Sequence, residues 1–534
     1  MSYPYINKAD VVEILKSRDV QRGIFSLSHL PLPQSLAHIT QGAQIVAQCI
    51  KNAKEVLVVG DYDADGICAS AVMVKFFKLL GYERMRLVIP NRFIDGYGIS
   101  AALLQKHAHN AAVIISVDNG ISAMCAGEWC AKAHIPLVIT DHHTPSKELP
   151  KASVIIDPHL PQCSFPQKDI CGAVVAWYFC AALKEALQAD IDMKCFFEYL
   201  AIASIGDVMP LVGINRILVQ KGLQALQSAK SPLAEFLCLK YKYINAQTLA
   251  FYIAPLLNSA GRMASADIAL EFLVSENLTQ AHQLYAKLSS LNAERKAIQA
   301  EVLAAAKECV IEKEHFILSY GEGWHEGVLG IVAATLAKEY QKSAFVFNKH
   351  KDVLKGSGRS EGGANLIGSI TCVDSYLLHF GGHKGAVGLS LSVDILEDFI
   401  GTLGEHFMYE ARAQEPILGI IGSEEIDYEL LALCEEFAPF GEGNPIPLFI
   451  CEDLLIQSIK PIGKDGKHFE YVLYDRRAHI KLVGIEFFAP FMREVGQSGD
   501  VCFELSRDEF RSTLKLKIIH FTPKSSLPKS VLMV

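Results

Sequence analysis

Apolar and polar positions along this chain change their period several times, and each change marks an element. Val56–Val59 is a short, β-branched apolar run that predicts a buried strand. Gly60 ends it and three aspartates follow, Asp61, Asp63 and Asp65. An apolar run of helical character, Ile67–Leu80, then closes at Gly81, a residue suited to the left-handed turn after a helix. A short apolar run followed by a helix or loop recurs at Arg86–Pro90, Val113–Val117 and Leu137–Thr140. That alternation predicts a parallel sheet with helices on both faces. Residues 172–260 read as mostly helical, punctuated by Gly172, Pro210 and Gly213. Glu276 to about Lys313 holds neither Gly nor Pro and predicts a long helix, either a bridge between domains or a plain core helix. Phe316–Ser319, Ala344–Phe347 and Val353–Gly356 predict strands around a helix at Val328–Tyr340. Phe469–Leu473, Ile480–Ile485, Val501–Leu505 and Leu514–Ile519 predict a final all-β part.

At 534 residues the chain exceeds one ordinary core, so several domains are expected. The pattern divides it into an N-terminal arm (1–45, weakly patterned and broken by Pro31 and Pro33), an α/β domain (46–275), a connecting helix (276–313), a smaller α/β domain (314–405) and a β-barrel (406–534). Half of the residues are hydrophobic and 20% charged, as in soluble globular proteins. No apolar run reaches the roughly 20 residues of a membrane span, and the N-terminus lacks a signal-peptide pattern, so a cytoplasmic protein is expected. The fourteen cysteines include no CxxC pair; Cys68, Cys171 and Cys180 sit in apolar helical runs, which predicts reduced, buried thiols. A net charge of −9 argues against non-specific coating of nucleic acid but leaves room for a local basic channel.

Candidate chemistry lies just past the predicted strands. Asp61, Asp63 and Asp65 follow the first, Asp118 and Asn119 the strand Val113–Val117, and Asp141, His142 and His143 the strand Leu137–Thr140. In an open parallel sheet those carboxyl ends share one edge, where ligands bind. Asp207, in Ile205–Pro210, is a fourth candidate. Crowded carboxylates repel one another and call for a neutralising hard cation, and imidazole widens the preference from magnesium toward manganese. Several carboxylates also suit two ions about 3.5–4 Å apart, as in phosphoryl hydrolysis. The plainer alternatives are an acidic turn with Asp61 or Asp65 capping the helix, and an ordinary turn at the two histidines.

Two glycine-rich stretches of the second α/β part each carry a base. Gly356–Ser360 is expected to hold Arg359 in a flexible loop, and Gly381–Gly385 supplies His383 and Lys384; backbone amides and bases there can face phosphate. The last part interleaves bases (Lys460, Lys464, Lys467, Arg476, Arg477, Lys481, Arg511, Lys515, Lys517) with Phe469, Tyr471, Tyr474, Phe487 and Phe488. That mixture fits a groove stacking single-stranded nucleic acid, or a solvated sheet with core aromatics.

DYDADG (61–66), VDNG (117–120) and TDHH (140–143) resemble the signature motifs of the DHH phosphoesterase superfamily. IPNRFIDGYG (89–98), LLNSAGRM (256–263), GWHEGVLGIVAATLA (323–337), GSGRS (356–360), FGGHKGAVGLS (380–390) and PFGEGNP (439–445) extend the resemblance, in order, to the RecJ family within it. The resemblance implies a parallel-sheet DHH domain joined by a long helix to a smaller DHHA1 substrate-binding domain, plus a C-terminal OB-fold barrel. It implies cleavage of single-stranded DNA from the 5′ end with two ions, Mn2+ or Mg2+. Asp63, Asp65, Asp118, His142 and Asp207 would hold the ions, with Asp61, where many members carry histidine, beside them. Asp65, Asp118 and His143 would be catalytic, His143 as general acid or phosphate donor. Arg92, Tyr97, Arg262, Ser357, Arg359, Gly382 and His383 would bind the substrate; the alternative is that Arg92 and Arg262 pair with cleft carboxylates. The partner classes implied are single-stranded DNA, a single-strand-binding protein or a helicase, with no membrane and a monomeric state. The short stretch after the barrel is expected to leave out a further C-terminal domain that longer members carry.

Three functions compete on these grounds. One is an exonuclease on single-stranded DNA. The second is a phosphodiesterase for short oligonucleotides or cyclic dinucleotides. The third is a DNA-binding scaffold without catalysis. The basic, aromatic barrel favours the first, since a small substrate needs no such groove.

Overall fold

The computed structural model describes residues 3–410, 417–463, 466, 468–489, 492–507 and 513–524. Five strands form an all-parallel sheet in the order Met85–Val88, Glu55–Val59, Ala111–Val117, Leu137–Thr140, Val154–Ile156. The fifth, Val154–Ile156, went unnoticed in the sequence because three residues are too short for a period to show. Val56, Val58, Val113, Ile115 and Val138 face the large helical core, while Leu57, Val59, Ile114 and Ile139 face a smaller one. The sheet is buried on both faces, which is why its strands read as continuous apolar runs. The helix Ala64–Leu80 ends, as the sequence predicts, on Gly81 at φ 69°.

A helix of 31 residues, Leu278–Glu308, about 46 Å long, leads into the second domain. There six strands run in the order His379–His383, Ala386–Ser392, Val353–Arg359, Ser343–His350, Phe316–Glu322, Ile311–Glu312. Gly356–Arg359 and Gly381–His383 therefore lie in strands, not in flexible loops. Both pair with Ala386–Ser392, and these backbone ladders fix Arg359 and His383 in place.

The last domain is a closed five-strand barrel. Leu448–Ile462 pairs with both His468–Asp475 and Ser498–Arg507, and the ring is completed through Ile480–Glu486 and Leu514–Pro523. Tyr471 and Phe469 point into its core, and Lys515 and Lys517 pair with Glu470 and Glu504. These four belong to the barrel's own stability. Phe487 and Phe488 are exposed. Lys464, Lys467 and Arg511 lie outside the described residues.

The N-terminal arm docks on this barrel domain. Tyr5–Ile6 adds a strand beside Ile417–Ile421, and Val11 and Leu15 of the helix Lys8–Ser17 join the same core. Arg216 and Gln220 of the first domain donate to the carbonyls of Phe437 and Ala438, tying down the segment before the barrel. Among the described residues no helix is long and apolar enough to cross a membrane. Cys68, Cys171 and Cys180 are buried and free, as expected.

Candidate metal centre and phosphate pocket

The carboxyl edge of the parallel sheet gathers the polar residues that the strands deliver. Asp63, not Asp61 or Asp65, caps the helix Ala64–Leu80: its Oδ1 accepts from the amides of Asp65 and Gly66, both at 3.1 Å. Asp65 then sits inside the first turn. Its two oxygens accept from Gly172 N at 2.6 Å and Ala173 N at 2.8 Å, the buried amides, without intrahelical partners, that open the helix Gly172–Leu187. Burial and the neighbouring Asp63 still push its carboxyl up to about 6.

Asp118 adopts a left-handed backbone, φ 60°, which costs a side-chain-bearing residue roughly 1–2 kcal/mol. The next residue supports that turn: Asn119 donates to the carbonyls of Val59 and Val117 and accepts from Ile99 N. Asp118 Oδ1 is buried without a hydrogen-bond partner and lies 3.2 Å from His142 Nε2. The same imidazole nitrogen is 3.6 Å from both Asp65 and Asp207. Burial, with the charge of His143 beside it, lowers His142 to about 3, so this imidazole is neutral and offers a lone pair. Burial and mutual repulsion raise Asp118 and Asp207 well above the ordinary carboxylate range.

Ligand atoms converge in three groups: Asp65, His142, Asp207; Asp118, His142, His143; and Asp61, Asp63, Asp118. Asp118 and His142 are each shared between two. The orphaned oxygens of Asp61 and Asp118 mark where charge is left uncompensated. Buried, like-charged oxygens around a neutral imidazole fit one or two hard-to-borderline divalent cations. Asp61, which the sequence left beside the ligands, is among these groups.

His143, whose ring also reaches the second of these groups, has a partner of its own. Its Nδ1 lies 2.7 Å from Asp141 Oδ1, and that carboxylate also accepts from the amides of Ile121, His142 and His143. Burial opposes the charged imidazole, but the hydrogen bond and charge of Asp141 raise His143 to about 9. His143 is therefore a cationic donor at neutral pH. Sequence reasoning placed Asp141 after its strand but gave it no part; its pairing with a residue two positions on was the available signal.

The substrate candidates fall into two sets. Arg92, Tyr97 and Arg262 line a pocket of about 180 Å³ that also touches Asp61 and Asp63. Arg92 lies over the Tyr62 ring, 4.7 Å from its centroid, and Tyr97 meets the same ring edge-on. Arg262 donates to Gly327 O across the domain junction. Arg359 reaches the same junction, where its guanidinium packs against Gly330. Burial, then the charges of Arg92 and Arg359, lower Arg262 to about 10. No ion pair with a carboxylate is among the described contacts of these three arginines. Ser357 shares a strand face with Arg359. From the second domain, His383 stacks on His143, and Gly382 packs against the backbone of Ala386. Asn258 was also missed: its Oδ1 accepts from Ala64 N beside the Asp63 cap, within the same pocket.

A parallel sheet whose carboxyl edge carries D-x-D-x-D and D-H-H, joined by a long helix to a domain that closes over it, defines a DHH-family protein. The DHH family, N-terminal domain, matches residues 55–204, the DHHA1 domain residues 313–408 and the RecJ OB domain residues 419–520. The chain belongs to the RecJ family: it is 31% identical to the single-stranded-DNA-specific exonuclease RecJ of Salmonella typhimurium, over 96% of each chain. The fold matches that of RecJ in complex with Mn2+ from Thermus thermophilus (TM-score 0.79, 23% identity, 98% of this chain and 80% of that one). It also matches an exonuclease RecJ bound to manganese (TM-score 0.59, 28% identity, 69% of this chain and 94% of that one).

Proposed function

We propose that this chain is a metal-dependent exonuclease that degrades single-stranded DNA from its 5′ end, in DNA recombination and repair. The observation that carries the reading is that one small pocket joins Asp61 and Asp63 of the metal edge to Arg92 and Arg262. A terminal phosphate held by those guanidinium groups leaves the next linkage over the carboxylates. Asp63, Asp65, Asp118, His142 and Asp207, with Asp61, would hold two divalent cations, manganese or magnesium, which when bound would supply activation of water and charge neutralisation at phosphorus. Asp65, held by two backbone amides, and Asp118, buried on a left-handed turn, keep the ligand set in place. His143, cationic through Asp141, donates a proton or hydrogen bond to a phosphate oxygen. Arg92, Tyr97, Arg262, Ser357 and Arg359 position the 5′ phosphate and adjoining backbone, and His383, with Gly382 allowing close approach, borders the same space from the second domain.

The relative from Salmonella is a single-stranded-DNA-specific exonuclease by name, and the barrel, which matches the RecJ OB domain, is the second surface we assign to the strand. A monomer acting in the cytoplasm, with a single-strand-binding protein or a helicase as partner, completes the reading. The test is a manganese-dependent assay on a long single strand, its duplex and a dinucleotide. Preference for the long 5′-phosphorylated single strand is expected. Preference for the dinucleotide would make this a small-substrate phosphodiesterase, and binding without cleavage a scaffold.

A further inference from the structure

Residues 246–263 form one unbroken helical rod: Ala246–Thr248, a wider π turn at Leu249–Ile253, and Ala254–Met263. Widened turns of this kind recur at functional sites. The rod runs past the whole candidate site in sequence order. At its far end Arg262 lines the phosphate pocket, and one turn back Asn258 bonds Ala64 N beside Asp63. A turn further back, Ala254 packs on Gly206, next to Asp207. At the near end Gln247 donates to Glu504 of the barrel. Between Asp207 and the barrel the rod carries Phe251 and Tyr252, 71% and 57% exposed.

These two rings do not stand alone. Tyr252 meets Tyr241, with centroids 5.6 Å apart. Lys240 lies over Tyr285 at 4.6 Å, and Lys242 over Tyr243, itself 40% exposed, at 5.3 Å. Tyr241 and Tyr285 pack on the domain core, whereas Phe251, Tyr252 and Tyr243 are left in solvent beside lysines, the composition of a single-strand stacking surface.

We propose that Phe251 and Tyr252, flanked by Lys240–Tyr243, form a stacking platform that carries the bases of a single strand from the barrel to the metal edge. This rests on the functional reading above and adds to it a site on the first domain itself. The order along the rod matches the order a 5′ exonuclease requires: terminal phosphate at Arg262, metal edge at Asn258 and Ala254, downstream strand at Phe251, barrel at Gln247. Phe251 and Arg262 are eleven positions apart, about 16 Å along the rod. A dinucleotide held at the metal edge ends before the platform, whereas a longer strand crosses it. Stacking is indifferent to base identity, since every base has a π face.

The test compares the wild type with Phe251→Ala/Tyr252→Ala and with Phe251→Trp. In the double alanine variant the ratio of kcat/KM for an oligothymidylate of about twenty nucleotides to that for a dinucleotide is expected to fall about tenfold, the scale of one lost stacked base. The loss should persist at raised salt, unlike the loss of a phosphate contact. Phe251→Trp keeps a large ring at the site and reads binding directly: its added fluorescence should be quenched by the oligothymidylate beyond any change in the wild type. An unchanged ratio, or a tryptophan signal blind to the strand, overturns the platform. A wild type that degrades the strand while the tryptophan is blind sinks the platform alone. A wild type that leaves the strand intact sinks the functional reading. A tryptophan that responds to a protein partner and not to the oligothymidylate would make the patch a protein-docking surface and overturn the proposal.

Discussion

The imidazole of His143 lies nearly parallel to that of His383, with ring centroids 5.8 Å apart and planes 17° from coplanar. One histidine from each domain thus meets its counterpart at the carboxyl edge of the parallel sheet, and Asp141 holds the first from behind. Burial and the facing His143 charge lower His383, so of the pair His143 carries the proton.

Asp141→Asn tests that arrangement. The charged form of His143 is favoured in the fold, where it titrates near 9 instead of about 6.5. Its contribution to stability is therefore complete below about pH 6.5 and fades as pH rises through about 9. With asparagine the imidazole reverts toward its ordinary value. We expect kcat to fall about 100-fold and its alkaline limb to move down by about two pH units. NMR titration of the His143 ring is the direct check, and an unshifted titration would remove Asp141 from this role.

Metal loading should be steeply pH-dependent. Asp65 titrates near 6, and Asp118 and Asp207 are raised as well, so protons compete with the cation in this range. A carboxylate raised in the fold makes the metal-free protein less stable as pH climbs from about 4 through 6, because the native state holds the extra proton. Manganese reverses that loss. The gain in Tm on adding Mn2+ should be larger at about pH 8 than at about pH 5, and nearly absent in Asp118→Asn. Equal gains at both pH values would place the ions elsewhere.

The arginine pocket makes a prediction about strand ends. Arg359→Ala and Arg92→Ala should each reduce the preference for a 5′-phosphorylated over a 5′-hydroxyl strand by about tenfold or more, the scale of a lost charged hydrogen bond. Metal-dependent stabilisation should stay intact. Arg359→Lys should restore little, because a point charge cannot replace a planar fork. Arg262→Ala should also cost stability, since it breaks the bond to Gly327 O across the junction. Unchanged end preference in both Arg92→Ala and Arg359→Ala would move the pocket.

Gly172 is the least conspicuous residue of the metal edge. A side chain there would collide with the Asp118 carboxylate, while its amide holds Asp65. Gly172→Ala should lower stability by about 2–3 kcal/mol and abolish manganese binding, measured by unfolding and by calorimetry. A variant with ordinary metal affinity would show that Asp118 can move aside.

The strand at 56–59, its three aspartates, the D-H-H after the strand Leu137–Thr140 and the long helix were all legible in the chain, because each depends on local period and on residues a few positions apart. A parallel sheet whose carboxyl ends share one edge then follows from alternation alone, and that shared edge groups residues as distant as Asp63 and His142 on sequence grounds. Other features depended on distance in three dimensions. Asp63 and not its neighbours caps the helix, because only its oxygen reaches the free amides. Gly172, 54 positions after Asp118, must be bare because of where the helix start lands. The glycine-flanked Arg359 and His383 looked mobile in sequence but are held by strand pairing, a long-range ladder. Phe469 and Tyr471, in the polar stretch KHFEY, are core while Phe251 and Tyr252, in the apolar stretch LAFYIAP, are surface. Period and composition state what a residue can do; which neighbour it meets, and whether water reaches it, is decided by packing between segments that carry no mark of each other in the chain.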